Sequence, residues 1–222
     1  MGAASVFPRP ARAVVLDMDG TLLDTEIIYV RCFVESMADF GHDLPEAFLH
    51  ELIGGPRSDF QNRLRARLGP EFPYDAHRAA YLALRSARLA AEVPLKPGAV
   101  ALLDRIGQLG LPMAIATAAT RVHADEHLAR SGLRARFAAV LTRDDVEKSK
   151  PSPDLFLRAA EVLGVPASEC IAVEDSHNGV RAAVAAGMMT VMVPDIVPAD
   201  DEMRRVCVSV QADLHAVAQL FD

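Results

Sequence analysis

Ala13-Val14-Val15-Leu16-Asp17-Met18-Asp19-Gly20 begins with a short, β-branched apolar run and closes on acids and a glycine, the pattern of a buried strand ending in a turn. The carboxylates begin where the strand stops. Side chains alternate along an extended chain, so Asp17 and Asp19 point to one side and Met18 to the other. Two carboxylates so placed can divide labour: one stays ionised as nucleophile and metal ligand, while its neighbour keeps a proton and serves as acid, then base. A plain turn accounts for the same letters, since Asp and Gly favour turns. An EF-hand loop does not fit, because Leu22 and Ile28 occupy the places of its Gly and Glu.

Working outward, short apolar runs recur at Pro112–Ala116, Cys170–Val173, Met189–Val193 and Val206–Val210. Helical patterns lie between most of them. Val100, Leu103, Ile106 and Leu109 predict a helix opened by Pro97 and stopped by Gly110. Leu155, Ala159 and Val162 do the same before Gly164, and Val180 and Val184 before Gly187. Strand and helix in alternation predict an α/β fold with a parallel sheet covered on both faces.

Residues 25–92 break that rhythm. Val30, Phe33, Met37 and Phe40 repeat at helical spacing, as do Phe60, Leu64 and Leu68, and Asp75 is placed to cap a third helix reaching about Ala91. The expectation is a small inserted α-helical domain at 25–92 within a sheet domain made of 1–24 and 93–222. Asp24-Thr25 and the Pro- and Gly-containing stretch 93–98 serve as its linkers.

The 222 residues are 51% apolar and 24% charged, which suits a folded globular chain and excludes disordered or collagen-like classes. The formal net charge of −7 repels a phosphate backbone, so no nucleic-acid partner is expected. Cys32, Cys170 and Cys207 are widely spaced and read as buried thiols, not disulfides or zinc ligands. No secretory pattern, myristoylation pattern or long apolar run stands out, so a cytoplasmic protein with no membrane partner is expected. A monomer is expected from the lack of any heptad pattern.

Three further polar positions adjoin predicted strands of the same sheet: Thr117, Lys150, and Glu174-Asp175. Singly, these fit a loop hydroxyl, a solvated lysine and a helix N-cap region. Ligands of an open parallel sheet bind outside the carboxyl ends of its strands, where these groups would converge. Together they supply what phosphoryl transfer needs: a carboxylate nucleophile, a proton donor, a hydroxyl and an ammonium for phosphate oxygens, and acids for Mg²⁺.

Asp17-Met18-Asp19-Gly20-Thr21-Leu22 resembles the first motif of the haloacid dehalogenase superfamily. Thr117, Ser149-Lys150-Pro151-Ser152-Pro153-Asp154 and Val173-Glu174-Asp175-Ser176-His177-Asn178-Gly179 resemble the second, third and fourth, in order. The helical insert is similar to the C1-type cap of the branch that holds phosphoglycolate phosphatase, sugar-phosphate phosphatases and β-phosphoglucomutase. The resemblance implies a Rossmann-like, doubly wound core, a mobile helical cap, Mg²⁺ as cofactor and an aspartyl-phosphate intermediate. It assigns Asp17 as nucleophile and metal ligand, and Asp19 as acid and base with its carbonyl on the metal. Asp175 becomes the main distal ligand and Glu174 a second or outer one. Thr117, the Ala118 amide and Lys150 hold the phosphoryl oxygens; Lys148 is a neighbour that lacks the following proline.

The substrate expected is a small phosphorylated metabolite, hydrolysed by a phosphatase, with a phosphomutase as the alternative. Tyr29 and Ile53 stand where the mutases resembled carry a histidine and a lysine, which favours hydrolysis, and Arg57 remains as a substrate-facing cation. A dehalogenase does not use the Asp19 acid or the Glu174-Asp175 pair, and a receiver domain lacks Asp19 and the insert. His123, Asp125 and His127 read as the solvated face of a helix, and Arg63, Arg65 and Arg67 as an exposed stripe.

Overall fold

The computed structural model describes residues 6–45, 48, 52 and 60–222. They form two compact units: the chain up to Asp24 together with Val93–Asp222, and Thr25–Glu92.

The first unit is built on a parallel sheet of six strands: β1 (Ala13–Leu16), β2 (Met113–Ala116), β3 (Ala139–Leu141), β4 (Cys170–Glu174), β5 (Met189–Met192) and β6 (Ser209–Val210). Their spatial order is β3-β2-β1-β4-β5-β6. The chain winds outward from β1 through β2 to β3, then returns to place β4 on the other side of β1. The order therefore reverses between β1 and β4, and a crevice opens beyond their carboxyl ends. Leu16 pairs in register with Ile115 on one side and Val173 on the other, so Asp17 emerges between the ends of two neighbouring strands.

Alternation along the strands determines how closely helices approach. Ala13, Val15, Ala114, Ala116 and Ala172 share a buried cluster with Leu155, Phe156, Ala159 and Ala160 of one helix and Ala182 and Ala183 of another. Small residues on this face let both helices lie close to the sheet. Among the described residues of this unit the helices are Ala99–Gln108, Arg121–Arg130, Asp154–Leu163, His177–Ala185, Asp201–Val206 and Leu214–Gln219. Their starts are chemically marked: Thr120, Ser176, Asp200 and Asp213 each accept a hydrogen bond from a first-turn amide.

The second unit contains the helices Thr25–Asp39, Phe60–Leu68 and Tyr74–Ala91. Numbered in chain order, the described α-helices are α1 to α3 in this unit and α4 to α9 in the sheet unit. Phe33, Met37, Leu44, Leu52, Leu64 and Phe72 form its buried cluster.

Several expectations need correction. Helix α4 buries Ala99, Leu102, Leu103 and Ile106, while Val100 and Leu109 are exposed; in α6 Phe156 and Ala160 are buried and Val162 is exposed. In both helices alanines and a second leucine or phenylalanine complete the inward face, so the inward stripe is wider and rotated from the one traced through the largest apolar residues. Strand β3 was not anticipated, being only three residues long at the sheet edge. Val206 ends α8 and does not start a strand, and Pro73, not Asp75, occupies the N-cap of α3. Cys32 and Cys170 are buried and Cys207 half-buried, all as free thiols. No described helix is long and apolar enough to cross a membrane.

Candidate active site

Past β1 the chain turns sharply: the Met18 carbonyl accepts hydrogen bonds from the amides of Leu22 and Leu23, and Gly20 donates to Leu23. Met18 is fully buried below the sheet end, while Asp17 and Asp19 point the other way. Gly20 has φ +86°, and a Cβ there would lie 2.5 Å from Asp175 Oδ2. Both conformation and the close approach of a carboxylate require glycine at that position. Thr21 Oγ1 donates to Asp175 Oδ1 at 2.8 Å, tying the β1 loop to the end of β4.

Lys150 lies at the centre of the site. Its ammonium, 5% exposed, pairs with Asp17 Oδ1 and donates to Glu174 Oε1 at 2.5 Å. The Phe156 ring lies beneath it at 5.1 Å. Glu174 is fully buried, and its other oxygen accepts from the Asp175 amide at 2.9 Å, the Ser176 amide at 2.9 Å and Ser176 Oγ at 3.0 Å. Both oxygens of Glu174 are thus engaged, and it serves as the buried counter-ion of Lys150. Gly179 makes room for it, because a Cβ there would fall within the Glu174 carboxylate.

Burial raises the Asp17 carboxyl to about 7, against the pull of Lys150 and with help from Glu174. Burial raises Asp175 well above the ordinary carboxylate value, with Glu174 and Asp17 adding to it. Burial alone would depress Lys150, but Asp17 and Glu174 outweigh it and hold the ammonium charged. The cluster therefore carries more carboxylates than cations.

That imbalance is the test of a metal. Among the described residues no three acidic, imidazole or thiol groups form a ready-made cage. Mg²⁺ does not require one: it binds through one or two carboxylates, keeps several waters and prefers hard oxygen donors. Asp17 and Asp175, short of positive charge at the mouth of the crevice, fit that requirement.

Thr117 follows β2 directly and is buried; its amide donates to the Leu141 carbonyl and its hydroxyl accepts from the Ala119 amide at 3.0 Å. Ala118 is exposed beside it, as is Lys148 on the loop before Lys150. Arg57 and Ile53 lie outside the described residues.

A family model for haloacid dehalogenase-like hydrolases matches residues 11–187. The chain belongs to this family. The hydrolase is 36% identical over 210 residues to protein CbbY of Cupriavidus necator, covering 86% of this chain and 81% of the relative. It is 34% identical over 183 residues to the fructose-1-phosphate phosphatase YqaB of Escherichia coli, covering 81% and 95%. The crystal structure of a CbbY mutant from Rhodobacter sphaeroides in complex with xylulose-1,5-bisphosphate superposes with TM-score 0.71 at 25% identity, covering 92% and 95% of the two chains.

In this hydrolase the structure also corrects the reading of α5. His127 is not on a solvated face: it is buried, and its Nδ1 lies 3.5 Å from Asp19 Oδ1. Thr21 and His127 are distinguished by partners far along the chain, Asp175 and Asp19, whereas Ser176 and Gly179 act on the nearby Glu174 and lie within the stretch that resembles the fourth motif. His177 is held by the Pro198 carbonyl at 2.9 Å. Within the helical unit, the Arg85 guanidinium covers the Tyr29 ring at 5.0 Å, and Arg65 covers Tyr74 at 4.5 Å.

Proposed function

We propose that this hydrolase is a Mg²⁺-dependent phosphatase of small phosphorylated sugars that works through an aspartyl-phosphate on Asp17. The observation that carries the reading is Lys150, buried between Asp17 and Glu174 where the strand order reverses, with Asp175 tied in by Thr21. An acidic chain can admit a phosphate dianion only where buried positive charge locally reverses its sign.

A carboxylate oxygen of Asp17 attacks phosphorus while the bond to the sugar oxygen breaks, and Asp19 gives that oxygen its proton. Asp19 then takes a proton from water as the water oxygen bonds to phosphorus and Asp17 is released. Lys150, Thr117 and the Ala118 amide hold the non-reacting oxygens. Mg²⁺, held by Asp17, Asp175 and the Asp19 carbonyl, would supply positive charge that keeps Asp17 ionised and offsets charge on the phosphoryl group. The helical unit Thr25–Glu92 acts as the cap that chooses the sugar, with Arg57 as its cation. The likeness to the fructose-1-phosphate phosphatase and to the bisphosphate-bound CbbY supports a sugar phosphate.

The test is phosphate release from fructose 1-phosphate, xylulose 1,5-bisphosphate, hexose and pentose monophosphates, phosphoglycolate and nucleoside monophosphates, with and without Mg²⁺. Release from one or a few, dependent on Mg²⁺ and lost in Asp17→Asn, is the expected result. Isomerisation of a hexose 1-phosphate without phosphate release would replace the phosphatase with a mutase, and no turnover of any kind would end both readings.

A further inference from the structure

We infer that His127 is a positioning residue for Asp19, donating from Nδ1 to hold the carboxyl that serves as acid and base; this rests on the phosphatase reading. The ring sits in the second turn of α5, between Ala124 and Leu128, both fully buried. Its side chain is 7% exposed and its Nδ1, 3.5 Å from Asp19 Oδ1, makes no hydrogen bond as it stands.

A buried imidazole nitrogen without a partner is costly, and such atoms are few in folded proteins. Here that atom faces the carboxyl that the phosphatase reading makes acid and base. A shift of roughly half an ångström brings Nδ1 and Oδ1 to ordinary hydrogen-bond distance. The neighbouring His123 ring is parallel to His127, 7° between planes at 6.1 Å, and helps fix the plane from which Nδ1 points. Held at Oδ1 by His127, the Asp19 carboxyl keeps one orientation while it serves as acid and base. His127 acts through Asp19.

The experiment compares His127→Leu, His127→Asn and His127→Gln with the parent on the preferred sugar phosphate and on p-nitrophenyl phosphate. Asn places an amide N–H as many bonds from Cα as Nδ1, whereas Gln places one at the position of Nε2. A sugar alkoxide needs a proton to leave and p-nitrophenolate does not. His127→Leu and His127→Gln are expected to lose roughly 10- to 100-fold in kcat/KM on the sugar phosphate, as for a misplaced catalytic group. The loss on p-nitrophenyl phosphate is expected to be smaller, and Asn to restore most of the sugar-phosphate activity. Equal losses on both substrates, or Asn no better than Gln, would overturn the inference.

Nitrogen-15 spectra of the histidine rings at mildly alkaline pH give a readout independent of turnover. His127 is expected to carry its proton on Nδ1 in the parent and to revert to Nε2 in Asp19→Ala. A proton on Nε2 in both proteins would overturn the inference even if the hydrolase proved an efficient phosphatase. If the parent releases phosphate from no substrate, the phosphatase reading fails and these spectra alone decide whether His127 holds Asp19.

Discussion

Each unit of this hydrolase buries polar side chains, and the two do so in opposite ways. In the helical unit Ser36 Oγ lies 3.0 Å from His77 Nε2, and the imidazole is surrounded by the rings of Phe33, Phe40 and Phe72. Burial depresses the His77 pKa, so the ring is neutral, bonded and packed. At the strand ends of the sheet unit, Asp17, Glu174 and Asp175 crowd one ammonium, and burial and mutual repulsion raise two of the three acids. The first arrangement lowers the energy of the fold; the second is held in place despite its energy, and strain of that kind clusters at functional sites. Buried polarity alone does not mark a site. Unbalanced charge does.

The largest effect that would sharpen this contrast is Asp17→Asn. Turnover is expected to fall by at least ~10³-fold, as when a nucleophile is removed, while the melting temperature of the metal-free protein stays level or rises because one repelling carboxylate is gone. Near-normal activity, or a marked loss of stability, would break the comparison.

Gly179→Ala comes next. The added methyl group collides with the Glu174 carboxylate, whose oxygens are already bound to Lys150 and to backbone amides. Overpacking at a buried, bonded group should cost about 3 kcal/mol, read by urea unfolding, with activity falling in parallel as Lys150 loses its counter-ion. An alanine variant as stable as the parent would mean that Glu174 is free to move.

A smaller effect concerns pH. The Asp17 carboxyl titrates near 7 in the folded chain against an ordinary value of 3.8. Between those values the folded state keeps a proton that the unfolded state has released, so rising pH favours unfolding across that window. In thermal melts with chelator, stability should decline from about pH 4 to about pH 7, more steeply in the parent than in Asp17→Asn. Mg²⁺ competes with protons for the same oxygens, so its stabilising effect should be greater at the alkaline end. Identical slopes for parent and variant would remove Asp17 from the account.

The smallest expected change is on the other side of the comparison. Ser36→Ala removes one partner of a satisfied neutral pair and should cost about 1 kcal/mol of stability, with no change in the pH dependence of the melt. A shift of the pH profile would show that the helical unit, too, holds an unbalanced charge.

Much of this was legible from letters alone, and for a definite reason. Strand and helix periods are local, so β1, β2, β4 and β5 can be read from short apolar runs; Asp17, Asp19, Thr117, Glu174 and Asp175 stand out because each adjoins a strand end, and Lys150 because it stands before Pro151 ahead of α6. The inward faces of α4 and α6 were less legible: apolar size points to Val100 and Val162, yet both face solvent. Which surface of a helix is buried depends on the sheet beneath it. The short β3 could not be separated from loop, since its pairing with β2 is what defines it.

The sequence by itself determined the order of elements and the chemistry available at their ends, because both are written within spans of a few residues. Only the tertiary structure decided the partners: Thr21 with Asp175 at a separation of 154 residues, Lys150 with Asp17 at 133, and His127 beside Asp19. Those meetings follow from the order β3-β2-β1-β4, which sets side by side the ends of strands that are distant in the sequence, a property of how the sheet is wound that no local pattern of side chains encodes.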